Sequence, residues 1–106
     1  MSILTSMALS IVLAVSPQSK ADDYEQSGFT PAQIQATGEF GCAYMRHGGY
    51  ISHKIRSWPR GGWEYSVMCT SGHVYTKADF IKFIPLTMWD KIDKRRQEIE
   101  NQKKEN

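Results

Sequence analysis

The two cysteines of the chain, Cys42 and Cys69, are the residues whose chemistry is easiest to predict. If the chain is exported, as its N-terminal residues predict, two cysteines are expected to form one disulfide. A metal site is the alternative, because His47 and His73 follow the cysteines at spacings not far from those of structural zinc sites. Such zinc domains normally contain a closer cysteine pair, which this chain lacks. We therefore predict a disulfide, with zinc bound by Cys42, His47, Cys69 and His73 as the alternative.

Between the cysteines, basic side chains alternate with aromatic rings. Lys54 and Arg56 share one side of a predicted strand with Tyr50, and Trp58 and Trp63 flank the turn that follows. A basic, aromatic hairpin can bind an acidic protein, a polyanion or a glycan. The candidate partner-binding residues are Tyr50, Lys54, Arg56, Trp58, Arg60, Trp63 and Tyr65. The alternative is a solvated surface whose aromatic rings form cross-strand pairs.

The sequence offers no recognisable catalytic set. It contains no Gly-x-Ser-x-Gly motif and no glycine-rich phosphate loop, and only Glu39, Glu64 and Asp79 of its eleven acidic residues fall in the predicted compact domain. His53 shares a strand face with two isoleucines and is expected to be a partly buried structural residue. We predict no enzymatic activity, no catalytic residues and no cofactor; a small hydrolase is the alternative.

The first 21 residues resemble a signal peptide in composition. Residues 3–15 are apolar apart from Thr and Ser, a length that suits a signal peptide and is short of the roughly 20 residues that span a bilayer. Ser19 and Ala21 suit the −3 and −1 positions of a cleavage site. The segment before the apolar run lacks lysine and arginine, so an uncleaved anchor or an ordinary buried helix is the alternative. Cleavage would leave a periplasmic or secreted protein of about 85 residues, small enough for a disulfide to matter.

Residues 29–86 are predicted to form the compact domain, after a flexible arm over residues 22–28. A helix should begin at the N-cap Thr30, with Pro31 in its first turn, and continue to about Arg46, where the following glycines supply a left-handed cap. Gly38 and Gly41 each cost this helix about 1 kcal/mol relative to alanine. We expect them to allow close approach of another backbone; the alternative is a helix that bends or ends at Gly38.

The remaining elements follow from alternation and from capping patterns. Residues 50–57, 63–69 and 73–76 predict three strands of an antiparallel meander. In the first strand, Ile51, His53 and Ile55 are expected to face the core, and Tyr50, Ser52, Lys54 and Arg56 the solvent. Residues 76–79 predict a short helix that Pro85 ends. Residues 87–106 predict a charged helix, capped at Thr87, that either frays or docks.

The predicted fold class is therefore α+β: an N-terminal helix packed on a three-stranded antiparallel β-meander, followed by a short helix and a charged C-terminal helix. The net charge of +2 excludes a polyanion-binding argument from the whole chain. We predict a small exported, disulfide-stabilised protein that binds a partner protein in the same compartment as an inhibitor, accessory subunit or regulator. A polyanion- or glycan-binding module is the first alternative, and a small hydrolase or zinc-stabilised domain is the second.

Overall fold

The computed structural model describes residues 19–105 of the chain. The helices are α1 (Ser19–Ser27), α2 (Pro31–Tyr44), α3 (Lys77–Phe83) and α4 (Leu86–Glu105), and the strands are β1 (Tyr50–Ser57), β2 (Trp63–Cys69) and β3 (Val74–Thr76). These helices and one antiparallel sheet confirm the predicted α+β class. Residues 1–18 of the predicted signal segment lie outside the described residues. Its last three residues belong to α1.

The central helix of the fold is α2. Thr30 is its N-cap, as predicted, and the Thr30 hydroxyl accepts a hydrogen bond of 3.1 Å from the backbone N–H of Gln33. One side of α2 packs on the sheet and another packs on α4, so buried residues lie around much of its circumference. This two-sided burial explains why the α2 sequence shows no single apolar stripe.

The end of α2 differs from the prediction. Its last helical residue is Tyr44, and the left-handed residue that follows is Arg46, with φ of 63°, where a glycine was expected. The backbone N–H groups of Arg46 and His47 donate to the carbonyls of Ala43 and Cys42. These two bonds form a Schellman motif, which holds a non-glycine residue in the left-handed conformation.

The strands form the predicted antiparallel meander, in the order β1-β2-β3. Tyr50 lies opposite Cys69, and the register of β1 then shifts before Ser52. This irregularity reverses two side chains relative to the prediction, because an inserted residue changes which side of the sheet its neighbours face. Ile51 is 53% exposed, whereas Tyr50 packs against the core.

Two glycines allow α2 to lie close to its neighbours. A Cβ atom on Gly38 would lie 2.8 Å from a methyl group of Val67 and 2.9 Å from the Tyr50 ring, and one on Gly41 would overlap the Phe80 ring. The close neighbours of the two glycines are therefore side chains of the sheet and of α3. They are not the backbone that the sequence predicted. Because α2 continues past Gly38 to Tyr44, the alternative of an early helix end is wrong.

Residues 22–27 of the predicted flexible arm form part of α1. Tyr24 attaches this helix to the sheet. Its ring packs against the core, and its hydroxyl lies 2.6 Å from Nε2 of His53. The segment is polar apart from Tyr24, so its sequence carries no periodic apolar signal that would predict a packed helix.

The C-terminal helices complete the fold. Thr76 and Asp79 form the full capping box predicted at the start of α3, each side chain accepting from the other's backbone N–H. The next helix, α4, begins at Leu86, one residue before its predicted cap at Thr87. It packs along α2 and buries Ile92 and Ile99, as the docking alternative expects for this part of the helix.

A salt bridge joins α4 to α2. Arg95 Nε lies 2.7 Å from Glu39 Oε1, and the Arg95 Nη2 donates to the other carboxylate oxygen at 3.2 Å. Burial raises the pKa of Glu39, but hydrogen bonds from Arg95 and Gln35 and the charge of Arg95 outweigh this effect and leave the pKa below its usual value. The carboxylate is therefore favoured in the folded protein.

Candidate binding surface

The sheet has one covered face and one open face. On the covered face, Tyr65, Val67 and Cys69 are buried, and α2 packs over them. We call the opposite surface the open face, and its side chains are exposed or half-buried: Ser52, Lys54, Arg56, Glu64, Ser66, Met68, Val74 and Thr76. A partner can therefore reach these side chains without a change in the fold.

The open face is basic at one end and apolar at the other. Lys54 and Arg56 line a groove of about 320 Å³ together with Glu64, Ser66 and Thr76. At the far end, Met68 and Val74 pair across β2 and β3 and are 41% and 48% exposed. Four residues of strand, or roughly 13 Å, separate the two ends. The surface thus offers cations and an apolar contact at a fixed separation.

Arg56 stacks on Trp58. Its guanidinium carbon lies 4.3 Å from the centre of the Trp58 ring, a cation–π arrangement. Glu64 is the cross-strand neighbour of Arg56. Even so, Arg56 forms no salt bridge with any residue that the structure describes. The positive charge of Arg56 is therefore held in place but is not neutralised by an ion pair within the described fold.

Trp58 belongs to the turn between β1 and β2, residues 58–62, which we call the hairpin tip. Its carbonyl accepts from the N–H of Gly61 and its N–H donates to the carbonyl of Gly62, both at 2.9 Å. Pro59 restricts the backbone at the first corner, and both glycines have positive φ, of 100° and 92°. This turn holds the backbone of Trp58, and the Trp58 side chain is 41% exposed. The side chain of Arg60, two residues later, is also exposed.

The structure places four of the seven predicted partner-binding residues on the open face or the hairpin tip: Lys54, Arg56, Trp58 and Arg60. Trp63 is partly buried. Tyr50 was predicted to face the solvent but packs against the core, and Tyr65 lies within the core. Tyr65 is only 6% exposed and contacts Phe29 edge-on, and Tyr50 lies next to Gly38. Whether the four surface residues bind a partner stays a prediction.

A hydrogen-bonded chain of three rings lies beside the open face. The hydroxyls of Tyr24 and Tyr50 each lie 2.6 Å from a ring nitrogen of His53, Nε2 and Nδ1 respectively. Burial raises the pKa of Tyr24; burial, followed by the charges of Tyr24 and Glu39, raises that of Tyr50. As predicted, His53 is partly buried. Sequence reasoning missed Tyr24, the aromatic residue of the polar segment.

The predicted disulfide lies at the end of the hairpin opposite the tip, where it joins α2 to β2. Cys42 and Cys69 are fully buried and bonded at 2.04 Å. Zinc is bound by thiolates, so the disulfide overturns the alternative site of Cys42, His47, Cys69 and His73. Among the described residues, no group of three or more His, Cys, Asp or Glu side chains is arranged to hold a metal ion.

Loop residues 45–49 and turn residues 70–73 are joined next to this disulfide, and we call them together the clasp. The N–H of Thr70 donates to the carbonyl of Gly49 at 2.8 Å, and the N–H of Gly49 donates to the Thr70 hydroxyl at 3.0 Å. The rings of His47 and His73 stack with centroids 4.4 Å apart, and His47 Nδ1 lies 3.0 Å from the Ser71 hydroxyl. The histidines therefore serve in loop packing.

Comparison of the chain with protein-family models, with curated proteins and with solved structures finds no match. Within residues 19–105, none of the helices has the combination of length and apolar character needed to cross a bilayer. The chemistry that the site offers is the binding of anionic groups by fixed cations next to an exposed indole ring and an apolar contact.

Proposed function

We propose that the protein binds a partner protein through the open face and the hairpin tip, acting as an inhibitor, accessory subunit or regulator. The observation that carries this proposal is Arg56, which is stacked on Trp58 and has no salt bridge among the described residues. Arg and Trp are enriched among the residues that dominate binding energy at protein interfaces. A rigid turn beneath them reduces the conformational freedom that binding would remove.

The charge of the surface indicates an acidic partner. Lys54, Arg56 and Arg60 are exposed, and Glu64 is the one acidic side chain of the open face as defined above. Complementary charge increases the rate of association and the specificity of an interface. The exposed Met68 and Val74 favour a protein over a polyanion, because a sulfated glycan or a phosphate backbone has little apolar surface to place there.

We place this function outside the reducing cytosol. The buried Cys42–Cys69 disulfide supports an oxidising compartment, where structural disulfides form and persist. The composition of the first 21 residues agrees with export to the periplasm or the medium. The partner would then be a protein of the same compartment.

Charge reversal tests the proposal. We expect Lys54→Glu with Arg56→Glu to abolish capture of the partner when the mature protein is used as bait in its own extracytoplasmic fraction. The melting temperature should fall only modestly, because both positions are exposed, although Arg56→Glu places a second carboxylate opposite Glu64. Lys91→Glu with Lys94→Glu is the matched control, since both lysines are exposed on α4.

Unchanged capture by the Lys54 and Arg56 variant would contradict the proposal, and so would an equal loss in the control. An affinity for heparin or DNA that falls steeply with salt, together with no captured protein, would instead support the polyanion alternative.

A further inference from the structure

We propose that the Arg56–Trp58 pair is a carboxylate-binding site that recognises an acidic side chain in an extended segment of the partner. This inference rests on the proposed function and names the chemistry of its partner. The ligand class is a peptide that carries two acidic side chains and one apolar side chain at alternating positions. The evidence comes from the geometry of Arg56, the support beneath it, and the order of side chains along β1.

The stacking of Arg56 leaves its hydrogen-bond donors free. A guanidinium that lies over a ring uses its flat face, whereas its N–H groups project from the edge of its plane. Arg56 also has no salt-bridge partner among the described residues, although Glu64 is its cross-strand neighbour. Two parallel N–H groups of arginine match the two oxygens of a carboxylate. The free edge of Arg56 is therefore suited to a bidentate contact.

The site is also organised before any ligand arrives. Both backbone polar groups of Trp58 are hydrogen-bonded within the hairpin tip, and the Trp58 ring limits the freedom of the Arg56 side chain. An arginine that is already ordered loses less freedom on binding than one that moves in solvent. Lysine at this position would keep the charge but would lose the planar fork and its stacking.

The order of side chains along β1 defines the ligand pattern. Arg56, Lys54 and Ser52 point to the open face at every second residue, and Ser52 pairs with Met68 at the apolar end. Side chains on one face of an extended chain recur at about 7 Å. A segment that lies along β1 would therefore place acidic groups at Arg56 and Lys54 and an apolar group at Met68 and Val74. For a segment that runs antiparallel to β1, the matching pattern is acidic-x-acidic-x-apolar.

Pairing of β1 with β1 of a second copy is disfavoured. Registers that bring Lys54 opposite Lys54 or Arg56 would oppose like charges, which destabilises such a pairing. The charge of the open face thus favours an acidic segment as the ligand.

Two peptides of equal composition test the pattern. The first contains Glu-Ser-Glu-Ser-Leu, which places its three recognition residues on one side of an extended chain. The second contains Glu-Glu-Leu-Ser-Ser, which divides them between two sides. Binding to the mature, disulfide-bonded protein is measured by NMR titration. We expect the first peptide to bind at least about tenfold more tightly, since loss of a hydrogen-bonded charge pair is worth about that factor.

Variants locate the contact. Arg56→Lys should lower the affinity for the first peptide by about tenfold. Trp58→Leu should lower it several-fold, because Arg56 loses its support. Lys91→Gln on α4 should leave the affinity unchanged. Equal affinities for the two peptides, binding of neither, or full retention of affinity in Arg56→Lys would each overturn the inference.

The outcomes also separate this inference from the proposed function. Partner capture that needs Lys54 and Arg56 but tolerates Arg56→Lys would support the proposed function and overturn the carboxylate site. Binding of both peptides with equal, steeply salt-dependent affinity would show general attraction of polyanions. If the first peptide bound selectively while charge reversal left partner capture intact, the carboxylate site would be real and the function proposed for it would be wrong.

Discussion

The clasp and the hairpin tip lie at opposite ends of the β1–β2 hairpin, and they use their side chains in opposite ways. At the clasp, the two histidines stack on each other, and the neighbouring cysteines form a disulfide. Next to the tip, Arg56 contacts the Trp58 ring and forms no salt bridge with any described residue. The residue types with the richest chemistry are therefore structural here, and the surface that can bind is built from arginine, lysine and tryptophan.

This difference predicts that stability and binding can be changed separately. Variants of the clasp should lower the free energy of unfolding and leave the affinity of the folded protein for its ligand unchanged. Variants of the hairpin tip should do the reverse. A variant of either end that altered both quantities would show that the two ends are coupled through the strands between them.

Removal of the disulfide should have the largest effect on stability. Cys42→Ala with Cys69→Ala opens a loop whose ends are 27 residues apart. We expect a loss of about 3–4 kcal/mol in the free energy of unfolding, because the unfolded chain regains that loop's conformational freedom. Urea unfolding of the variant and of the oxidised parent measures the difference. A loss below about 1 kcal/mol would show that the clasp does not depend on its cross-link.

A smaller loss should follow from Thr70→Val in the clasp. The Thr70 hydroxyl accepts from the N–H of Gly49 at 3.0 Å and donates to the carbonyl of His47 at 3.3 Å. Removing it should cost about 1 kcal/mol, the typical net value of a hydrogen bond. Thr87→Val is the matched control, since Thr87 is exposed on α4. Equal urea midpoints for the two variants would contradict a contribution from the clasp's hydrogen bonds.

The smallest expected effect concerns the Glu39–Arg95 salt bridge, which belongs to neither end of the hairpin. The folded pKa of Glu39 is below its usual value of 4.5, so the carboxylate contributes stability above that pH. The contribution is lost as the pH falls below about 4.5 and through the folded pKa. For a partly exposed pair, Glu39→Gln should cost less than about 1 kcal/mol at pH 7.

Unfolding of Glu39→Gln and its parent as a function of pH checks this prediction. The two stability curves should converge in acid. The variant Glu25→Gln, at an exposed position of α1, should run parallel to the parent curve throughout. A constant gap between the Glu39→Gln and parent curves would mean that charge is not the source of the effect.

Local sequence signals predicted the elements that depend on local physics. The N-cap at Thr30 and the capping box of Thr76 and Asp79 were confirmed, because each is formed within one turn of chain. The meander followed from alternation and turn residues. The disulfide followed from the number of cysteines together with the predicted export. Within the candidate site, Lys54 and Arg56 lie on the exposed side of β1, as the alternation predicted.

Features set by contacts between distant residues were missed. The register shift near Tyr50 moves that ring into the core beside Gly38, and no residue of β1 itself signals the shift. Arg46 adopts the left-handed cap because the backbone after α2 forms a Schellman motif, although glycine is the usual choice. In α1, the packing of the Tyr24 ring and its contact with His53 attach a polar sequence to the sheet.

That same contact belongs to a pair of hydrogen bonds that either charge state of an imidazole can form. A neutral imidazole has one N–H and one lone pair, so one of the two phenols donates to His53 and the other accepts from it. An imidazolium has two N–H groups, and each phenol oxygen can then accept one of them. Protonation would therefore change which atom carries each proton and leave both 2.6 Å bonds occupied. The two tyrosine contacts of His53 are thus compatible with either number of protons on the imidazole.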